Sequence, residues 1–87
     1  MKMKKAVIVF RTKTEVFRLI DELYAYGIRA ATTSTPKEAG IGCGIAVETD
    51  LIRVPVVRRI IAGGGYGGYY GIFSVERFPT RTVTTRI

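Results

Sequence analysis

The chain has 87 residues, enough for one domain with a modest core, and its 47% hydrophobic content indicates a folded protein rather than a disordered one. The formal net charge is +7, which suits either an anionic partner or an ordinary cation-rich surface. No apolar run approaches the roughly 20 residues that span a bilayer, and one cysteine cannot form an internal disulfide, so a cytoplasmic protein without a membrane segment is predicted.

The first third of the chain predicts a strand, a helix and a second strand. Lys5–Phe10 is a β-branched and aromatic run that is typical of a central strand buried on both faces. Thr12 is a good N-cap for the helix that follows, and Glu15 completes a capping box. Gly27 ends this helix. The short, threonine-rich segment 28–33 then predicts an edge strand.

A short helical turn is predicted between the second and third strands. Thr35 is a good N-cap residue for this turn, and Pro36 suits its first position. Glu38 would complete a capping box, and Gly40 would provide a left-handed stop. The apolar run that begins at Gly44 and extends to Glu48 predicts the third strand.

The remainder of the chain predicts a helix, a fourth strand and a tail. Either residues 50–54 form an opening turn or the regular helix begins at Pro55. The run from Tyr69 to Phe78 predicts the fourth strand, which Pro79 stops. Residues 80–87 alternate as strands do, so they form an extra edge strand, a strand paired across a homodimer, or a frayed end.

The element order βαββαβ predicts an α+β fold, a ferredoxin-like two-layer sandwich, in a single domain over residues 1–79. A four-stranded antiparallel sheet in the order 4-1-3-2 would carry both helices on one face. The C-terminal tail, residues 80–87, would lie outside this domain. The strand directions place the loop between strands 2 and 3 at the same end of the sheet as the start of the first helix and residues 63–68.

Cys43 is the strongest nucleophile of the chain at neutral pH, because it is the only cysteine and there is no histidine. Gly42 and Gly44 flank it and leave a thiol uncovered. We therefore predict Cys43 as the catalytic residue, in a loop shaped by Thr35, Pro36, Gly42 and Gly44. The alternative is a small buried side chain without a chemical role.

An electropositive environment is predicted for the Cys43 thiol. Arg11, Thr12 and Lys13 surround the N-terminus of the first helix, which carries a partial positive charge, and Lys37 lies in the helical turn. Such an environment would favour the thiolate and lower the pKa of Cys43.

Gly65, Tyr66 and Gly67 are predicted as a flap over Cys43, with a mobile linker as the alternative. The Gly-x-Gly-x-x-Gly spacing of Gly63, Gly65 and Gly68 follows a helix and opens a strand, so it does not indicate a dinucleotide site. The third strand lacks the aromatic residues on which RNA-recognition domains stack bases, which argues against nucleic-acid binding. The chain has no metal-ligand motif, and neither a metal nor a cofactor is predicted.

The Thr-Pro-Lys-Glu turn that begins at Thr35, followed by Cys43-Gly44 and an apolar strand, resembles the small bacterial selenium/sulfur carrier protein-like family over residues 4–62. The Cys-Gly pair is the hallmark of that family. The resemblance implies a thiol carrier that holds a persulfide or selenide on Cys43. It also implies a cysteine desulfurase-type donor or an acceptor protein as partner, rather than a stand-alone enzyme. The alternative is a non-catalytic binding or regulatory module for an anionic ligand, a nucleic acid or a protein partner.

Overall fold

Five strands and two α-helices make up the computed structural model, which describes residues 3–40 and 44–87. In chain order they are β1 (Met3–Phe10), α1 (Lys13–Ala25), β2 (Ala30–Ser34), β3 (Ile45–Asp50), α2 (Val54–Gly63), β4 (Tyr69–Arg77) and β5 (Thr82–Arg86). Single turns of 3-10 helix lie at Lys37–Ala39 and Leu51–Arg53.

The strands form one antiparallel sheet in the order β2-β3-β1-β4-β5. Its first four strands have the predicted order, but the prediction of a four-stranded sheet is wrong because β5 pairs with β4. The backbone amide of Phe78 donates to the oxygen of Arg81 at 2.8 Å, which closes the turn around Pro79 and returns the chain along β4. The threonine-rich tail has the β-branched composition that favours such a strand.

The central strand β1 is buried on both faces, as its composition predicts. Ala6, Ile8 and Phe10 belong to one apolar cluster, and Val7 and Val9 belong to another. Each of these side chains is at most 2% exposed. Successive side chains of a strand point to opposite faces, so one short run supplies both halves of the core.

Both α-helices cover the face of the sheet that carries Ile8 and Phe10, which we call the helix face. Their buried residues are Val16, Leu19 and Leu23 of α1 and Val54 and Val57 of α2. The opposite face, which we call the second face, carries Val7 and Val9. Ala39 packs there against the sheet, so part of the β2–β3 connection covers this face.

The ends of α1 follow the sequence closely. The hydroxyl of Thr12 accepts a hydrogen bond from the amide of Glu15 at 3.4 Å, which confirms the predicted N-cap. Gly27 adopts a positive φ of 73°, and the amide of Ile28 donates to the oxygen of Leu23 at 2.9 Å. This is the Schellman geometry in which glycine is favoured.

The beginning of α2 combines the two predicted alternatives. Leu51–Arg53 forms a 3-10 turn, and the regular helix follows from Val54 with Pro55 in its first turn. Proline is tolerated there because the first amides of a helix have no intrahelical acceptor.

Candidate functional site

One end of the sheet, which we call the site end, brings together the end of β1, the start of α1 and the loop between α2 and β4. The amide of Arg11 donates to the oxygen of Gly68 at 2.8 Å, so this loop is held against the end of the central strand. Thr12 lies beside this contact as the N-cap of α1. The structure thus brings Arg11 and Thr12 next to the glycine-tyrosine loop, residues 63–68.

Glu15 holds this arrangement together. Its carboxylate accepts a hydrogen bond from the amide of Gly68 at 2.7 Å and another from the hydroxyl of Thr12 at 2.7 Å. A Cβ atom at Gly68 would lie 2.0 Å from this carboxylate, so glycine allows the close approach. Sequence reasoning assigned Glu15 to a local capping box and missed that it binds a loop 53 residues away. Its negative charge also offsets part of the positive end of α1.

Tyr66 anchors the glycine-tyrosine loop in the core. Its side chain is 7% exposed, and its ring centroid lies 5.4 Å from that of Phe10. Its hydroxyl donates a hydrogen bond to the carboxylate of Glu22. The guanidinium of Arg18 lies 4.3 Å from the Tyr66 ring and forms an ion pair of 3.3 Å with Glu22. Any flap motion of this loop would require Tyr66 to leave these contacts.

Folding stability should decrease above pH 10 in a manner that depends on Tyr66. Burial, then the hydrogen bond to Glu22 and its negative charge, raises the pKa of Tyr66 above its ordinary value of 10.0. The unfolded chain therefore loses this proton first, and stability falls by up to about 1.4 kcal/mol per pH unit beyond that point.

The measurement is urea unfolding at intervals between pH 8 and pH 11, with Tyr66→Phe beside the native protein. Tyr66→Phe should be less stable at pH 8 but should lose stability less steeply above pH 10. Parallel pH dependences of the two proteins would show that this hydroxyl is not held in the core.

The connection between β2 and β3 approaches the same end of the sheet from the other side. The amide of Thr35 donates to the oxygen of Gly44 at 3.3 Å, which closes the two ends of this connection. Gly44 has a φ of 92°, a backbone conformation that favours glycine. Ile45 then pairs with Ser34 in the sheet.

The predicted capping role of Thr35 is wrong. The 3-10 turn begins one residue later, with Pro36 in the N-cap position and no side-chain cap. The hydroxyl oxygen of Thr35 is buried and has no hydrogen-bond partner among residues 3–40 and 44–87. The left-handed stop at Gly40 is confirmed by a φ of 71°.

Cys43 and Gly42, the centre of the predicted site, lie outside the described residues. Of the predicted cations, Lys13 begins α1, which packs on the helix face, whereas Lys37 lies in the turn whose Ala39 packs on the second face. Both lysine side chains are exposed. The sheet thus separates the elements that carry them.

A groove on the second face lies beside this connection. Its volume is about 320 Å³. Its apolar residues are Val7, Pro36 and Val75, and threonine side chains of three segments line its sides: Thr33, Thr35, Thr82 and Thr84. The nearby side chain of Arg77 is paired with Glu48 at 2.9 Å, so its charge is already compensated.

Tyr70 and Arg86 lie near this end of the sheet, and the sequence did not indicate either of them as a candidate site residue. The guanidinium carbon of Arg86 lies 4.6 Å from the centroid of the Tyr70 ring, and that of Arg11 lies 5.9 Å from it. The sequence contains no direct signal for this contact, because Tyr70 and Arg86 meet only through the pairing of β4 with β5.

No group of three or more potential metal ligands occurs within the described ranges, and no described helix is long and apolar enough to cross a membrane. A family model whose description is "Putative Se/S carrier protein-like" matches residues 5–70. That match includes Cys43, Gly44 and the turn before them. Neither the comparison with curated proteins nor the comparison with solved structures gives a significant match.

Proposed function

The chain belongs to the Se/S carrier protein-like family, and on this premise we propose that it carries a sulfur or selenium atom on Cys43. The observation that carries the proposal is the family match over residues 5–70, which contains the only cysteine of the chain. The chain would act as a carrier or accessory protein in the cytoplasm, with a cysteine desulfurase-type donor or an acceptor protein as its partner.

In the loading step, one sulfur–sulfur bond forms on Cys43 while the sulfur–sulfur bond of the donor breaks. The thiolate of Cys43 attacks the outer sulfur of a donor persulfide, R–S–SH, and forms a new bond to it. The bond within the donor breaks, and its electron pair leaves with the donor thiolate, R–S⁻. No external oxidant or reductant is needed. Selenium in the outer position would be transferred by the same step.

Delivery repeats this exchange with an acceptor thiolate as the attacking group. The chain has no second cysteine that could attack the inner sulfur of the persulfide, form an internal disulfide and release the outer sulfur as sulfide. It also has no histidine that could act as a general base near neutral pH. Bound sulfur would therefore persist until an acceptor arrives, which suits a carrier better than a hydrolase or a disulfide reductase.

The geometry of the site end supports this role. Gly44, whose peptide nitrogen is bonded to Cys43, lies where β3 begins, and the conformation of Gly44 favours a residue without a side chain. The exposed guanidinium of Arg11 follows β1, the strand beside β3. A cation on the neighbouring strand favours a thiolate over a thiol.

Incubation with a cysteine desulfurase and cysteine should add the mass of one sulfur atom to the protein in mass spectrometry. The gain should be lost completely in Cys43→Ser and should be reversed in the native protein by an excess of a thiol reductant. Omission of the desulfurase is the control for sulfur derived from free cysteine. An unmodified native protein, or an equal gain in Cys43→Ser, would contradict the proposal and favour the non-catalytic binding module.

A further inference from the structure

Two arginine side chains approach one tyrosine ring at the site end, and we call this group the Arg11–Tyr70–Arg86 cluster. The guanidinium carbons of Arg86 and Arg11 lie 4.6 Å and 5.9 Å from the centroid of Tyr70. Arg86 also donates a hydrogen bond of 2.6 Å to the backbone oxygen of Tyr70. The cluster therefore has a defined geometry, although both arginines are exposed.

A β-bulge in β4 presents Tyr70 to the second face. Val9 pairs with Gly71 and Phe10 pairs with Tyr69, so Tyr70 is the extra residue of the bulge. Tyr69 consequently packs with the helix-face cluster, whereas Tyr70 packs against the apolar cluster of the second face. A Cβ atom at Gly71 would lie 2.9 Å from the Arg86 guanidinium, so glycine leaves the room that this guanidinium occupies.

The charges of this cluster are uncompensated within the described part of the chain. Lys5, Arg18 and Arg77 each have a carboxylate within 3.3 Å. Neither Arg11 nor Arg86 has a carboxylate at ion-pair distance among these residues, and the one acceptor of Arg86 is a neutral carbonyl. Two like charges beside one ring repel each other, and a bound anion would remove that repulsion.

The donors of the cluster fit a planar oxyanion. A guanidinium presents parallel N–H groups that match the two oxygens of a carboxylate, and a phenol hydroxyl can donate a further hydrogen bond. Ala39, which follows Lys37 in the connection that contains Cys43, packs against the same apolar cluster as Tyr70. A carboxylate held here would lie on the face that this connection covers.

We propose that the Arg11–Tyr70–Arg86 cluster binds the carboxylate of a small thiol, which exchanges sulfur with Cys43 as its persulfide. The proposal rests on the proposed carrier function for the role of the ligand. It names a substrate class for that function: a low-molecular-mass thiol that bears a carboxylate. The cluster would hold the carboxylate end and leave the sulfur end of the ligand free.

The test is titration with S-methylglutathione by calorimetry at low ionic strength, where charge interactions are least screened. We expect native protein to bind this probe and Arg86→Gln to bind it at least about tenfold more weakly, because a charged hydrogen-bond donor is lost. Arg81→Gln is the matched control. Arg81 also lies beside an aromatic ring, 4.5 Å from the centroid of Phe78, but at the other end of β5. Arg81→Gln should bind S-methylglutathione as tightly as the native protein does.

Two further probes identify the ligand group. The dimethyl ester of S-methylglutathione has no free carboxylate and should not bind. Equal binding of the ester, or equal affinities of Arg86→Gln and Arg81→Gln, would overturn the proposal. Inorganic phosphate that binds as tightly as S-methylglutathione, with the same loss in Arg86→Gln, would overturn the carboxylate assignment in favour of a general anion site.

This experiment is independent of sulfur transfer. The methylated sulfur of the probe cannot form a persulfide, and Cys43→Ser should bind the probe with native affinity. Loss of binding in Cys43→Ser would contradict the assignment of the site to this cluster. The carrier function is decided separately by mass spectrometry.

Discussion

Replacing Phe10 with alanine should lower the free energy of unfolding by about 3–5 kcal/mol, the largest effect expected of a single core substitution in this protein. Phe10 is 0% exposed and contacts the rings of Tyr66 and Tyr69, with centroids at 5.4 and 6.1 Å. Alanine would leave a cavity where β1, β4 and the glycine-tyrosine loop meet. A domain of this size has a total stability of about 4–13 kcal/mol, so much of the margin would be lost.

Phe17→Ala is the matched control, because it makes the same chemical change at a side chain of α1 that is 52% exposed. Phe17→Ala should lower the free energy of unfolding by less than about 1 kcal/mol. Urea unfolding followed by circular dichroism measures both variants. A smaller loss in Phe10→Ala than in Phe17→Ala would contradict the packing of the site end described above.

Thr85→Pro should destabilise the protein by at least about 2 kcal/mol, because it removes a hydrogen bond that joins β5 to β4. The amide of Ile87 donates to the oxygen of Ile72 at 2.9 Å. Bonded pairs alternate along an antiparallel ladder, so the amide of Thr85 faces Ser74, its partner in β4. Proline at this position would separate the edge strand and expose the side of Phe73 that Arg86 covers.

Thr84→Pro provides the control in the same strand. By the same alternation its amide points away from β4, where no described strand lies, so proline removes no hydrogen bond of the sheet. In thermal unfolding, the melting temperature of Thr84→Pro should be close to that of the native protein, and the melting temperature of Thr85→Pro should be well below it. Equal melting temperatures of the two variants would show that β5 does not belong to the sheet.

Local patterns predicted much of the fold, because their meaning is set within a few residues. The run Lys5–Phe10 is short, β-branched and aromatic, which favours a strand buried on both faces, and Thr12 and Gly27 mark helix ends through their own backbone preferences. The predicted order of the first four strands followed from short connections and handedness. The fifth strand was one of three alternatives, and only its pairing with β4 decided among them.

The site was less predictable, because its contacts join residues that are distant in sequence. Glu15 matches a local capping pattern, yet its carboxylate binds Gly68 in a loop of the other half of the chain. Tyr69 and Tyr70 are identical neighbours in the sequence, and the bulge reverses the faces that regular alternation from Ile72 and Phe73 would give them. A period of two residues assigns faces correctly until a bulge interrupts it, and the sequence signal of this bulge is limited to Gly71, a glycine inside a strand.

The position of β1 in the middle of the sheet has a consequence for the order of folding events. Lys5 of β1 pairs with Asp50 of β3 on one side and with Val75 of β4 on the other. Both neighbouring strands are therefore synthesised long after β1. Contacts between such distant segments close large loops and slow the folding rate. During synthesis the apolar run AVIVF of β1 therefore has no partner strand until β3 has left the ribosome, and its other edge stays unpaired until β4 follows. The nascent chain is most prone to aggregation in that interval, and protection by a chaperone would have its greatest effect there.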